Sequence, residues 1–120
     1  MKNFKESEFV CPCKYKCGLG FKDMSKEAIK RLIKARKKAD TPFVINSAIR
    51  CPDHNKDVGG SVTSSHLTGE AFDIFCKYSR QRFRIVRGLI LAGFTRIEIK
   101  EDYIHVDISK EKAQQVLWLQ

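Results

Sequence analysis

Tyr103-Ile104-His105-Val106-Asp107-Ile108 decides the fold, because apolar and polar residues alternate through it without a break. A β-strand turns successive side chains to opposite faces. Ile104, Val106 and Ile108 therefore face a core, while Tyr103, His105 and Asp107 share the other side. Residues 94–100 just before it are β-rich as well, so 94–100 and 103–109 read as a hairpin with Asp102 at its turn. Further back, residues 79–92 read as an amphipathic helix with a stripe of Phe83, Val86, Leu89 and Ile90, and Gly93 stands where a helix-ending glycine belongs. Ala71-Phe72-Asp73-Ile74-Phe75 reads as a buried strand.

Residues 50–69, rich in Gly, Ser and Thr, read as a long polar loop of the kind that is functional or mobile in a small domain. Residues 43–47 read as a short strand ahead of it. Residues 25–39 read as a helix capped by Ser25 or Asp23, with Ala28, Ile29, Leu32, Ile33 and Ala35 on one face and lysines and arginines opposite. Residues 110–119 read as a last short helix that packs Val116, Leu117 and Trp118 on the core. Residues 1–22 are irregular and cysteine-containing, anchored by Phe4, Phe9 and Val10. Helices and strands do not alternate strictly. The expected class is α+β, a mostly antiparallel sheet with packed helices, in one domain over residues 1–120.

No apolar run is long enough to span a bilayer, and residues 1–6 lack the apolar segment of a secretory signal. The expectation is a monomer made in the cytoplasm. A net charge of +9 favours anionic partners, among them nucleic acid, anionic lipid and acidic wall polymers. Much of that charge lies in residues 26–38, where a solvated helix face accounts for it. Five cysteines, an odd number, argue against a secreted disulfide framework. Cys11, Cys13 and Cys17 are clustered, and either Cys51 or Cys76 could complete a second, structural metal site; buried or redox-labile thiols are the simpler reading.

The chemistry rests on two of three histidines, since His54 falls outside the pattern. His66 ends the polar loop, and Asp73 lies in the middle of the apolar strand that follows. A carboxylate buried there needs a cation or strong donors. Pairing with Arg50 or Arg96 is one solution; a metal ion held by His66, Asp73 and His105 is the other, with a coordination position left open for chemistry.

Ser64-x-His66-x-x-Gly69-x-Ala71-x-Asp73 followed by Asp102-x-x-His105 resembles the zinc D-Ala-D-Ala carboxypeptidase family, peptidase family M15. Within it, the chain looks like the small phage and bacterial subgroup that includes L-alanyl-D-glutamate endolysins. Residues 47–55, carrying Arg50, look like the family's arginine-bearing segment, and Val58-Gly59-Gly60 leads into the metal motif. The resemblance implies a Hedgehog/DD-peptidase-like fold and one zinc ion on His66, Asp73 and His105. It implies Asp102 as general base, Arg50 as substrate ligand and oxyanion support, and Ser64 as a contact to the substrate backbone. Asp107, two residues past His105, would hold a ligand imidazole in its tautomer. The implied substrate is the peptidoglycan stem peptide, cut by a carboxypeptidase or an endopeptidase. A phage lysin would reach the wall after holin release or from the particle. Two other classes compete. One is a catalytically silent zinc module that binds wall peptide, which leaves Asp102 and Arg50 without a purpose. The other is a basic nucleic-acid-binding protein, which leaves His66, Asp73 and His105 unexplained.

Overall fold

Five strands, β1 (Ile45–Ser47), β2 (Ala71–Phe75), β3 (Arg96–Ile99), β4 (Tyr103–Asp107) and β5 (Val116–Leu119), form one sheet in the order β1-β2-β4-β3-β5. The structure is a computed structural model and describes residues 3–120. Every pairing is antiparallel except β3 with β5. Among the described residues three α-helices complete it: α1 (Lys26–Ala39), α2 (Pro52–Asp57) and α3 (Ser79–Leu91). The class is α+β, with helices packed on a mostly antiparallel sheet.

The alternation in β4 sets the two faces. Ile104 and Val106 are fully buried, together with Phe72 and Ile74 of β2, and Ile97 of β3 joins the same core. The opposite face carries Asp73 and Ala71 on β2, Tyr103, His105 and Asp107 on β4, and Arg96 and Glu98 on β3. Apolar burial drives the first face. The second face then presents a row of charged groups toward one cleft.

Ser25 starts α1: its Oγ accepts the Ala28 N–H at 3.1 Å. Asp40, in the left-handed region at φ 52°, ends the helix. Ala28, Ile29, Leu32, Ala35 and Ala39 are buried on the inner face. The helix packs against α3 at Gly88, where a Cβ would lie 2.5 Å from the Ala35 carbonyl oxygen and 2.6 Å from Ala39 Cβ. Gly88→Ala therefore sets a helix-propensity gain of about 1 kcal/mol against a backbone collision. Overpacking of this kind costs about 1–3 kcal/mol, and a helix carbonyl cannot step aside alone. Net destabilisation is expected as a lower urea midpoint; an unchanged or higher midpoint refutes the close contact.

That contact also explains why the α3 stripe is narrower than its apolar residues suggest. Ile85, Gly88 and Leu89 are buried, whereas Phe83 and Ile90 are 67% and 54% exposed. Val10 is likewise exposed, and the first segment is anchored to the core by Phe4, Phe9 and Cys11, with Leu19 and Phe21 packed alongside.

The chain departs from expectation in two elements. The polar stretch 50–69 is not one loop: it contains α2 and a short 3-10 turn, Ser65–Thr68. Residues 110–119 hold no helix. Gln115 takes φ 57°, which breaks helical continuation, and β5 follows. Thr95 and Ile99 offer carbonyls at the edge of β3, and they accept the N–H groups of Val116 and Gln120 at 2.9 and 3.2 Å. An open sheet edge with unpaired main-chain groups outweighs the helix propensity of Lys110-Glu111-Lys112. No helix among the described residues is long and apolar enough to cross a membrane.

Candidate metal centre

Asp73 and His105 face each other across the β2–β4 ladder. His66 reaches the same point from the 3-10 turn Ser65–Thr68, which Ser64 caps by accepting the His66 N–H at 3.2 Å. Gly69 then turns the chain into β2 at φ 69°, with the Asp23 carbonyl oxygen 2.5 Å from where a Cβ would sit. The His66 carbonyl in turn accepts the Arg50 N–H at 3.0 Å, which ties the two halves of the 50–69 stretch together.

One oxygen of Asp73 is the focus. Oδ1 lies 3.1 Å from His66 Nε2 and 3.0 Å from His105 Nδ1. The remaining nitrogen of each ring is held by an acceptor. His66 Nδ1 is 2.6 Å from the Ala48 carbonyl oxygen, and His105 Nε2 is 2.8 Å from Asp107 Oδ2. Each ring donates outward, so each turns its other nitrogen, a lone pair when the ring is neutral, toward a carboxylate. Three electron-rich atoms thus point at one another, within 4.8 Å. Such an arrangement calls for positive charge at its centre. A nitrogen–nitrogen–oxygen donor set with outer acceptors fixing both rings fits zinc.

The ionisation of these groups shows the same pull for positive charge, met by a proton on His105 between the two carboxylates. Burial works against the charge on Asp73, but the hydrogen bonds from His105 and His66 prevail and hold its carboxyl well below the usual range. Burial likewise opposes charge on His105, yet Asp107 and Asp73 push its pKa up to about 9. Asp107 is buried too and is held low by His105, the Ser109 N–H and Arg96. Its Oδ1 accepts from Arg96 Nε at 2.7 Å.

Arg50 enters from beside the cluster. Its Nη2 lies 3.1 Å from Asp73 Oδ2, its Nε donates to Ser47 Oγ at 3.0 Å and its Nη1 to Asn55 Oδ1 at 3.2 Å. Gly60 leaves room for this clamp, because a Cβ there would collide with Asn55 Oδ1. Asp73 thus meets both an arginine and two histidines: the ion pair uses Oδ2 and leaves Oδ1 to the rings.

These groups floor a polar cleft of about 410 Å³, lined also by Ser64, Glu98, Lys100, Tyr103, Lys112 and Trp118. A larger apolar groove of about 490 Å³ runs along α3 past Phe83 and Ile99, but its lining holds no histidine or carboxylate and so offers no such chemistry. Arg50, Ser64, His66, Asp73, His105 and Asp107 all border the polar cleft. Asp102 does not: it is exposed at the hairpin tip, where its main-chain carbonyl accepts the Cys76 N–H at 3.0 Å. Glu98, the direct partner of His105 across β3 and β4, adds a further carboxylate to the cleft lining. The alternation in Arg96-Ile97-Glu98-Ile99 carried that signal.

Trp118 and Lys112 are cleft residues that the expected C-terminal helix concealed. Trp118 stands beside Glu98 through the β3–β5 register, and its ring lies 5.0 Å from the Arg96 guanidinium. Lys112 Nζ donates to the Thr63 carbonyl at 2.7 Å, closing one side of the cleft. His54 lies on α2, outside the cleft lining.

A comparison with curated proteins finds no match. A family model described as Peptidase M15 matches residues 2–107, from the N-terminal segment through the end of β4 and so across the whole histidine–aspartate cluster. The chain belongs to the M15 peptidase family.

Proposed function

We propose that the protein is a zinc-dependent peptidase that hydrolyses a peptide bond in the peptidoglycan stem peptide. The observation that carries this reading is the convergence of His66, Asp73 and His105 on one point at the floor of an open cleft, with both rings braced from behind. Zinc held there would supply a Lewis acid for the scissile carbonyl and lower the pKa of water toward neutrality.

The side chains do the rest. Glu98 takes a proton from the attacking water and returns it to the leaving amine as the carbon–nitrogen bond breaks, leaving a carboxylate and an amine. The base role expected of Asp102 passes to Glu98 in this proposal, because Glu98 lines the cleft and Asp102 does not. Arg50 supports negative charge on the carbonyl oxygen. Its guanidinium has five N–H donors, and the contacts to Ser47, Asn55 and Asp73 leave some free for substrate. Ser64 contacts the substrate backbone, while Tyr103 and Trp118 wall the cleft. Lys100 and Lys112 suit a peptide that carries free carboxylates, as the wall stem does. The net charge of +9 favours approach to an anionic wall.

Incubating the zinc-loaded protein with purified peptidoglycan should release either free alanine or new amino termini, and dialysis against a chelator should abolish that release until zinc is restored. Free alanine identifies a carboxypeptidase; new amino termini identify an endopeptidase. Zinc binding without any product refutes the reading and leaves a silent wall-peptide-binding module in its place.

A further inference from the structure

We propose that Cys11, Cys13, Cys17 and Cys51 hold a second, structural zinc ion. Their four sulfur atoms all lie within 4.8 Å of one another. Zinc–thiolate bonds of about 2.3 Å in a tetrahedron set sulfurs about 3.8 Å apart, so the cluster needs at most a contraction of about 1 Å to close on the ion. All five cysteines are free thiols, and Cys76 stands outside the cluster, buried beyond β2 with its Sγ 3.9 Å from the Tyr78 carbonyl oxygen.

The backbone is already bent around the sulfurs. The Cys11 N–H donates to the Leu19 carbonyl at 3.0 Å and closes the loop that carries Cys13 and Cys17. Lys16 at φ 53° and Gly18 at φ 77° supply the left-handed turns that bring Cys17 back. Main-chain N–H groups point at three of the sulfurs: Leu19 to Cys17 at 3.5 Å, Cys51 to Cys11 at 3.4 Å, and His54 to Cys51 at 3.4 Å. Such donors orient thiolates and offset their charge, as outer contacts do around bound metals. Four thiolates in tetrahedral array select zinc over the oxygen-seeking cations.

The site also explains how the N-terminal segment stays in place. Residues 10–20 contain no helix or strand. A metal would staple them to Cys51, the residue that caps α2 and directly follows Arg50. Tyr15 adds a side-chain link, donating from its hydroxyl to Asp57 Oδ2 at 2.6 Å at the far end of α2. Metal binding of this kind is folding free energy for a segment with few other restraints. Because α2 carries Asn55, which holds Arg50, the staple steadies one wall of the cleft as well.

Metal analysis of the full chain tests this. Wild type should carry about two zinc ions, and both His66→Ala/His105→Ala and Cys13→Ser/Cys17→Ser about one each. The histidine double variant, reconstituted with cobalt, should show the intense near-ultraviolet charge-transfer absorption of cobalt thiolates and the visible bands of a tetrahedral ion. That readout leaves every cysteine intact, so it stands even if the serine variant does not fold. The proposal is overturned if the cobalt-treated histidine variant lacks thiolate bands, if it retains no zinc, if iron rather than zinc occupies the cysteines, or if thiol titration of the native chain finds these cysteines joined as disulfides.

Discussion

Glu98→Gln should lower kcat by about 10²- to 10⁴-fold, the range typical of a lost general base, while zinc content stays at the wild-type value. Asp102→Asn should change kcat by no more than about twofold, as exposed substitutions do. The contrast follows from where the sheet puts two nearby carboxylates. Glu98 lies opposite His105 in the β3–β4 register and borders the cleft. Directly opposed side chains on one sheet face have Cβ atoms about 5 Å apart, within reach of a shared water. Lys100 Nζ, 3.7 Å from Glu98 Oε2, steadies that carboxylate at the cleft. Asp102 sits at an exposed turn, where aspartate also serves ordinary turn chemistry. Glutamine preserves the shape of Glu98, so the loss reports the missing carboxylate rather than packing. If Asp102→Asn proves the slow variant and Glu98→Gln runs at wild-type rate, the acid-x-x-histidine spacing outranks the register, and the hairpin tip must close over the substrate.

What the sequence discloses divides along the line between local and non-local information. The faces of β4 are legible because a strand's period belongs to the strand itself, and the α1 cap and inner face are legible for the same reason. The opposition of Asp73 and His105 is not. It depends on β2 pairing with β4, with α3 and β3 intervening in the chain. Val116-Leu117-Trp118-Leu119 fails for a related reason: a short segment takes whichever partner the fold leaves open, and here that partner is the edge of β3. Trp118 and Lys112 become cleft residues only through that crossover. The choice between Cys51 and Cys76 as neighbour to the N-terminal cysteines is likewise made by tertiary packing, since both are buried and neither has a decisive spacing. Glu98 is the instructive omission. Arg96 and Glu98 alternate with Ile97 and Ile99 as plainly as His105 and Asp107 alternate with Val106 and Ile104. The same period-two rule, applied to both strands of the hairpin, places Glu98 on the face of His105.

Asp73→Asn should empty the histidine site of zinc, with affinity down by more than about 100-fold, beyond the 10- to 100-fold typical of outer hydrogen-bonding partners, and hydrolysis should fall to background. Two roles are open to Asp73. As an ion-pair partner it meets Arg50 through Oδ2; as a metal ligand it meets both histidines through Oδ1. Asparagine removes both roles, and losing one member of a buried pair costs about 3–5 kcal/mol in its own right, so reduced thermal stability alone distinguishes nothing. Arg50→Ala separates them. It removes the ion pair and leaves His66, Asp73 and His105 in place, so it should retain zinc while losing the oxyanion support worth about 10²- to 10³-fold in kcat. Zinc retained in Arg50→Ala and lost in Asp73→Asn identifies the carboxylate as a ligand. Zinc retained in both would make Asp73 the anchor of Arg50 alone. The metal would then have to be held by His66 and His105 without it, and the role of Asp73 as a ligand would fall.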